Sequence, residues 1–276
     1  MFFSNQINTF QNSSHSRDRE VLIKYTKKHL MTVRYEINPP KIGGKNDAQI
    51  AKLEDRIEQI SNFCNGIHVT ESVLGIPRIP PLDIAKNIKE KKPELKVTVS
   101  LRTIDKTNQQ IHSILDKLIE NEIDGVLVLM GDPPVDAKSN SRLFPSRVVE
   151  ELTQNGYKEK IEIFLSIPNK PNFQKITKKI NAGPNGFVTQ VIHNYEQAEK
   201  IYNYLNPQKF EVIPCILFPS DNNLKSAEFL KLDWSNYKEN FTQYVNQIHK
   251  LTNDVLITSP NDFKGVLDFF SSLNLD

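Results

Sequence analysis

Three polar residues with chemically useful side chains lie at the ends of short apolar segments: Glu36, Asp132 and Gln190. A carboxyl group in partly apolar surroundings has a raised pKa, so Glu36 is suited to act as a general acid near neutral pH. The charge of Asp132 is suited to tuning the electronics of a ring cofactor or substrate. Gln190 can both donate to and accept from the edge of a heterocycle. Together they predict one site for a heterocyclic ligand.

Each of these residues also has a plain structural interpretation. Glu36 would be a solvated residue at a strand end or an ion-pair partner of Lys41. Asp132 stands in a Gly-Asp-Pro-Pro turn, where an aspartate commonly closes the turn through its own side chain. A glutamine at a strand end is weak evidence by itself. The functional interpretation therefore depends on whether the fold brings the three residues together.

Eight apolar segments alternate with segments of helical periodicity, which indicates repeated βαβ units and a parallel sheet. The predicted strands cover residues 32–37, 66–70, 96–101, 125–130, 161–166, 186–189, 210–217 and 254–258. The predicted helices cover residues 47–63, a segment ending near 92, a segment starting after 107, and 146–154, 172–182, 194–205, 224–232, 235–251 and 262–273.

The alternative to a closed barrel is an open doubly wound sheet, which usually has a glycine-rich turn after its first strand. The chain contains neither GxGxxG nor GxxxxGK[ST]. We therefore predict a single (β/α)8 TIM barrel of class α/β over residues 31–276. In such a barrel the C-terminal strand ends meet at one mouth, where the chemistry takes place.

Composition excludes several classes of protein. The 276 residues carry a net charge of +2 with dispersed lysines, so no nucleic-acid surface is expected. The two cysteines show no ligand spacing with each other or with histidine, which argues against a metal site or a disulfide framework. We expect no membrane span and no signal peptide, and therefore a cytoplasmic protein. Residues 1–30 are predicted to form a flexible extension, partly disordered and partly helical, because residues 5–18 are mostly polar.

Polar residues near the other strand ends add candidates for the same mouth: Thr70, Glu71, Arg78, Ser100 and Arg102. The lysines of the predicted fifth helix, among them Lys179, are suited to pair with a phosphate-bearing cofactor, although helix lysines are usually surface charges. His68 lies within the second predicted strand and is interpreted as a core or interface histidine rather than a ligand.

Several segments resemble motifs of the methylenetetrahydrofolate reductase family, a flavin-dependent (β/α)8 barrel. The Glu-Ile-Asn-Pro-Pro segment at 36–40 resembles the family's glutamate-aromatic-aromatic-Pro-Pro opening, and Val-Thr at 69–70 resembles its Val-Thr-x-Gly segment. Similar blocks follow in the family's order at 104–107, 129–134, 179–183, 187–190 and 212–217. The resemblance extends from about residue 32 to the end of the chain.

The resemblance implies a reductase that converts 5,10-methylenetetrahydrofolate, or a related pterin, to the 5-methyl form with NAD(P)H, in one-carbon metabolism and methionine supply. Glu36 would protonate the bridging nitrogen of the folate, and Asp132 would lie beside both flavin and pterin. Gln190 would bind the pterin. The remaining cofactor contacts implied by the family are Thr70, Ser100, Gly131, Asp132 and Lys179.

The chain departs from the family pattern mainly on the cofactor side. Met130 replaces an arginine, Ser100 replaces a histidine, and the segment 167–171 lacks the family's Tyr-Pro-Glu-x-His loop. FAD, FMN and no flavin therefore all remain open. The alternatives are a flavin-free folate-binding barrel that acts as a partner or regulatory subunit, and a pterin-dependent methyltransferase barrel. The choice of nicotinamide and a homo-oligomeric state remain open as well.

Overall fold

The computed structural model describes residues 32–43, 46–133 and 143–273. Eight parallel strands close into a barrel in chain order, with β8 paired to β1. The strands are β1 Thr32–Ile37, β2 Gly66–Val69, β3 Lys96–Arg102, β4 Gly125–Leu129, β5 Glu162–Ile167, β6 Gly186–Val191, β7 Glu211–Leu217 and β8 Asp254–Thr258. The predicted (β/α)8 barrel is confirmed, with strand ends within two residues of the prediction.

Helices on the outside of the barrel connect successive strands. They are α1 Asn46–Ile60, α2 Pro81–Lys91, α3 Asn108–Glu120, α4 Pro145–Gln154, α5 Thr177–Asn181, α6 Tyr195–Leu205, α7 Leu224–Phe229, α8 Phe241–Thr252 and α9 Phe263–Ser272. Capping side chains define where two of these helices begin. Thr107 and Gln110 form a reciprocal capping box at the start of α3, and the Asn194 side chain caps α6.

Two helices begin five or six residues later than predicted, at Thr177 instead of 172 and at Phe241 instead of 235. The predicted helix 172–182 is reduced to α5, because residues 172–176 form a turn in which the backbone N–H groups of Lys175 and Ile176 donate to the Asn172 carbonyl. Asn172 also accepts the Lys175 N–H through its side chain, which favours a turn over a helix. The predicted helix 235–251 begins only at Phe241, after turns around Tyr237.

The core has two layers. Inside the barrel, a compact group of buried residues packs across the axis: Leu127, Phe164, Val188, Ile213, Cys215 and Leu256. A larger layer fills the space between the outer faces of the strands and the helices. Each fully buried aliphatic side chain contributes about 1.5–3 kcal/mol relative to exposure. Both layers hold the strands rigidly and so fix the positions of residues at their C-terminal ends.

The N-terminal end of the barrel is closed by buried charges. Arg34 on β1 is 2% exposed, and its Nε donates to Oδ1 and Oδ2 of Asp254, each at 3.0 Å. Burial alone would lower the pKa of Arg34, but the charge and hydrogen bonds of Asp254 raise it. Lys96 and Glu162 form a second ion pair at 2.8 Å. Charged residues at this end of a barrel serve stability, whereas enzymes with this fold keep their chemistry at the opposite end.

Three of the sequence predictions concern the N-terminal extension, membrane-spanning helices and metal sites. The extension predicted over residues 1–30 lies outside the described residues. In the described ranges, no helix combines the length and apolar character required to cross a membrane. The same part of the chain contains no cluster of histidine, cysteine or acidic residues that could bind a metal ion.

Candidate functional site

A cavity of about 1100 Å³ opens at the C-terminal end of the barrel. Six of the seven residues predicted to form the site line it: Glu36, Thr70, Ser100, Gly131, Asp132 and Gln190. They come from the ends of β1, β2, β3 and β6 and from the loop after β4. Barrel closure therefore brings together residues that are up to 154 positions apart in the chain, from 36 to 190.

Glu36 is half-buried in the cavity wall. Desolvation raises the pKa of its carboxyl group, and a hydrogen bond from Thr258 opposes that rise. The Thr258 hydroxyl at the end of β8 donates to Oε1 of Glu36 at 2.7 Å. A carboxyl group with a raised pKa retains its proton at higher pH than an exposed glutamate, as a general acid must.

His68 forms the part of the wall next to Glu36, since the two residues are paired in the β1–β2 register. Its ring nitrogens are 2.9 Å from the hydroxyl groups of Thr98 and Ser100. Burial, assisted by the charge of Arg34, lowers the pKa of His68 to about 3. The imidazole is therefore neutral and holds the Ser100 hydroxyl in a fixed position.

Asp132 is exposed and connects two loops at the mouth. Its Oδ2 accepts the backbone N–H of Leu74 at 3.0 Å, in a segment where Leu74 has a left-handed φ of 59°. Gly131 before it has a φ of +80°, and a Cβ there would lie 2.7 Å from Arg102. Only glycine fits this turn without displacing the arginine.

Arg102 holds the Asp132 loop in place from below. This fully buried residue donates through Nη2 to the Asp132 carbonyl at 2.8 Å and through Nη1 to the Ser72 carbonyl at 3.2 Å. Glu71, which lines the cavity, accepts the Arg102 backbone N–H and the Lys106 ammonium, each at 2.6 Å. The two loops are therefore anchored by charge-assisted hydrogen bonds.

Gln190 is exposed in the cavity because β6 is irregular at this point. The β6–β7 pairing shifts register between Val188 and Val191, and the Thr189 hydroxyl accepts the Cys215 backbone N–H at 3.0 Å. Irregularities of this type re-aim side chains next to active sites. The sequence predicted Gln190 at the site from its position after an apolar strand, but not the irregularity that exposes it.

Lys179 is the one of these seven residues that does not line the cavity, and Arg102, also a candidate for the mouth, lies behind the wall as well. Its ammonium group donates to the backbone carbonyl of Ser166, and Ser166 does line the cavity. Burial lowers the pKa of Lys179. The lysine thus lies directly behind the wall, and its predicted contact with a cofactor phosphate stays a prediction.

The cavity suits the ring portion of a flavin better than its phosphate portion. Thr70, Ser100 and Gly131 provide a wall of small residues, and the volume exceeds that of many single-ligand pockets. The cations that line the cavity are Arg56, Arg78 and Lys225. Nε of Arg78 is buried without a hydrogen-bond partner among the described residues. The small residues of this wall therefore fit a flavin ring, whereas Lys179, the residue that the resemblance implies for the phosphate side, does not line the cavity.

Sequence reasoning did not select Thr258 or Asn38, which complete the site. Asn38 accepts the Thr70 hydroxyl at 2.6 Å through its side-chain oxygen and so connects the ends of β1 and β2. Thr258 ends the last strand, and this position at a strand end is the only feature of the sequence that could have indicated its place in the site. His68 was predicted to be a core residue, and it is buried, but it also forms part of the cavity wall.

Structural comparison shows related barrels. One neighbour is an uncharacterised protein from Clostridium thermocellum that binds two copies of 5-methyl-5,6,7,8-tetrahydrofolic acid, with a TM-score of 0.64, 16% identity, and coverage of 91% of this chain and 96% of that one. Another is the GH18 chitinase ChiB of Flavobacterium johnsoniae, with a TM-score of 0.53, 12% identity, and coverage of 88% and 94%. At such identities these similarities establish the fold alone.

Sequence comparison identifies the family. No curated protein matches the chain. The family model described as methylenetetrahydrofolate reductase matches residues 22–250, which include all seven predicted site residues. Because this match covers most of the 276 residues, the chain belongs to the methylenetetrahydrofolate reductase family.

Proposed function

We propose that this protein binds a reduced folate in the cavity at the barrel mouth and reduces 5,10-methylenetetrahydrofolate to the 5-methyl form. The observation that carries the proposal is the half-buried Glu36, whose pKa is raised by desolvation and which shares one cavity with Gln190 and Asp132. Family membership and the structural neighbour that binds a 5-methyl folate support the choice of ligand.

The rim of the cavity supports a ligand with more than one ring. Leu74 and Phe229 line the mouth and are 54% and 72% exposed. Exposed apolar side chains at the edge of a cavity commonly mark a binding surface. A folate would place its pterin ring deep in the cavity and its benzoyl ring between such side chains.

The residues of the cavity would divide the chemistry as follows. Gln190 would hold the pterin edge by donating and accepting hydrogen bonds. Protonated Glu36 would transfer its proton to the nitrogen of the methylene bridge, which opens the five-membered ring to a reactive iminium. Thr258 would then stabilise the carboxylate that this transfer leaves, because its hydroxyl already donates to Oε1 at 2.7 Å.

Flavin would be held against Thr70, Ser100 and Gly131. A bound flavin supplies hydride transfer from a nicotinamide to the folate carbon. The neutral His68 would keep the Ser100 hydroxyl oriented toward that ligand through the 2.9 Å hydrogen bond. Asp132, held by Leu74 and Arg102, would place a negative charge beside both rings.

A second candidate is a flavin-free barrel that binds folate without reducing it. One observation that favours it is that Lys179 is directed to the Ser166 carbonyl rather than into the cavity. The structural neighbour holds two copies of its folate. A cavity of about 1100 Å³ is of a size suited to a second pterin in place of a flavin.

Experiments on the purified protein and on one variant distinguish the two candidate functions. Under the first, the protein binds flavin with a visible absorbance spectrum, NAD(P)H bleaches it, and methylenetetrahydrofolate reoxidises it. Glu36→Gln should abolish the folate half-reaction and leave flavin reduction largely intact, while Glu120→Gln on the exposed face of α3 serves as a matched control. Colourless protein that binds 5-methyltetrahydrofolate without turnover, even with added FAD or FMN, would establish the second. Absence of folate binding would refute both.

A further inference from the structure

His68 connects two hydroxyl groups that lie on the same strand. Its Nδ1 is 2.9 Å from Oγ1 of Thr98, and its Nε2 is 2.9 Å from Oγ of Ser100, both on β3. Burial, assisted by the charge of Arg34, lowers the pKa of His68 to about 3, so the imidazole is neutral near neutral pH. A neutral imidazole carries one N–H group and one bare nitrogen. His68 therefore donates to one of these hydroxyl groups and accepts from the other.

The two hydroxyl groups have different surroundings. Thr98 is 3% exposed and does not line the cavity, and in the part of the chain that the structure describes its hydroxyl group bonds only to His68. A Cβ on Gly125 of β4 would lie 3.1 Å from the Thr98 methyl group, so this methyl group occupies the β4 side and the hydroxyl group is directed toward His68. Ser100 instead lines the cavity, where a bound ligand can accept its proton.

These surroundings decide which nitrogen of His68 carries the proton. If Nδ1 carried it, Nδ1 would donate to Thr98, and the Thr98 O–H would be buried without an acceptor, which is costly. If Nε2 carries it, Thr98 donates to the bare Nδ1 and Nε2 donates to Ser100. Each buried donor then has an acceptor, as buried polar groups normally do. The hydroxyl proton of Ser100 remains free to point into the cavity.

We infer that His68 is a positioning residue that makes Ser100 a hydrogen-bond donor toward the cavity, and that this donor recognises a lactam carbonyl oxygen on the ring of the ligand. The recognition step rests on the proposed function. With the opposite tautomer, Ser100 would donate to His68 and present only lone pairs to the ligand. Flavin and pterin rings both carry lactam carbonyls, and the experiment distinguishes between them.

The tautomer of His68 is measured directly on the ligand-free full chain. Long-range ¹H–¹⁵N correlation spectra of protein labelled with ¹⁵N-histidine distinguish protonated from bare ring nitrogens. His68→Gln identifies the signals of His68 among those of the six histidines. We expect a protonated Nε2 and a bare Nδ1 at neutral pH. Predominance of the Nδ1–H tautomer overturns the inference, because Ser100 would then donate to His68.

The recognition step is measured with riboflavin and with 5-methyltetrahydrofolate as separate probes. In isotope-edited infrared spectra, a lactam carbonyl that accepts a hydrogen bond absorbs at lower frequency than a free one. For the probe whose ring meets Ser100, Ser100→Ala should raise this frequency and weaken binding about five- to tenfold in titration calorimetry. His68→Gln retains an N–H donor for Ser100 and should preserve the frequency, whereas His68→Leu should shift it toward the Ser100→Ala value. Ser113→Ala, exposed on α3, is the matched control.

The possible results have different consequences. A carbonyl frequency that Ser100→Ala leaves unchanged for both probes refutes recognition by Ser100, although binding itself stands. A frequency that changes in Ser100→Ala but not in His68→Leu refutes the positioning role of His68. A change with riboflavin alone assigns this wall to the flavin, and a change with the folate alone assigns it to the pterin. Absence of binding by both probes refutes the proposed function, whereas the tautomer measured without ligand still confirms or overturns the orientation of Ser100.

Discussion

Glu36→Gln is expected to stabilise the folded protein at neutral and alkaline pH while abolishing its function. The wild-type carboxyl group lies in a cavity wall where desolvation disfavours its ionised form more than the Thr258 hydrogen bond favours it. Glutamine has nearly the same shape and retains an oxygen that can accept the Thr258 hydroxyl. The substitution therefore removes a destabilising charge and preserves the hydrogen bond.

The pH dependence follows from the direction of the pKa shift. The pKa of Glu36 in the folded protein is above the ordinary value of 4.5, so the folded state binds more protons than the unfolded state between those two values. Stability of the wild type therefore falls as pH rises from about 4.5 to the folded pKa and does not fall further above it. The glutamine variant lacks this loss, so the difference in stability between the two proteins should grow as pH rises from about 4.5 to the folded pKa of Glu36.

We expect the gain in free energy of unfolding to be about 0.5–2 kcal/mol at pH 8, the usual size for a single stabilising substitution. For a barrel of this size, each kcal/mol corresponds to a rise in melting temperature of about 2–4 °C. The retained bond to Thr258 accounts for about 1 kcal/mol that the variant would otherwise lose. Below pH 4 both proteins carry an uncharged side chain at this position, and their melting temperatures should converge.

Thermal denaturation of both proteins across this pH range, monitored by circular dichroism, measures the difference directly. Glu120→Gln controls for the loss of one surface carboxylate, because this residue is exposed at the end of α3. A variant that is less stable than the wild type at pH 8 would refute the reasoning. A difference that is independent of pH would also refute it, because it would show that desolvation of the charge is not the cause.

Three further predictions concern Thr258 at the candidate site and two residues near the opposite end of the barrel, Arg34 and Gly186. Thr258→Val removes the donor to Glu36, which raises the pKa of Glu36 further, and should cost about 1–2 kcal/mol at pH 8 but less at pH 4 in urea denaturation. Arg34→Met leaves Asp254 buried without its partner and should cost about 3–5 kcal/mol, whereas adding Asp254→Leu should recover much of the loss; no recovery would exclude the unpaired charge as the cause. Gly186→Ala would place a Cβ 2.4 Å from a backbone carbonyl of β7 and should cost about 1–3 kcal/mol, and a neutral result would show that the strand can shift.

The fold was predictable because each element carries its own local signal. The fourth strand, for example, is apolar on both faces, as a strand between core and helices must be. The α5 region was mispredicted for an equally local reason. Its lysines and isoleucines have helical spacing, but the turn formed by the Asn172 side chain and carbonyl delays the helix to Thr177. The spacing of hydrophobic residues does not reveal where a side chain competes with the helix for backbone N–H groups.

The site was predictable in part. Glu36, Asp132 and Gln190 could be selected because they are polar residues at the ends of apolar strands, which converge in any closed barrel. The contacts that these residues make could not be predicted from their position at strand ends. That Asp132 bonds to Leu74, or that Lys179 is directed to the Ser166 carbonyl, depends on loop conformations that sequence spacing does not specify.

Sequence alone determined the order of the strands, the end of the barrel where the candidate site lies and the family to which the chain belongs. These properties depend on residue types and on their spacing along the chain, and both are given by the sequence itself. Tertiary structure decided the protonation preference of Glu36, the neutrality of His68 and the position of Lys179 behind the cavity wall. Those properties depend on desolvation and on distances between residues far apart in the chain, and both quantities exist only once the barrel has closed.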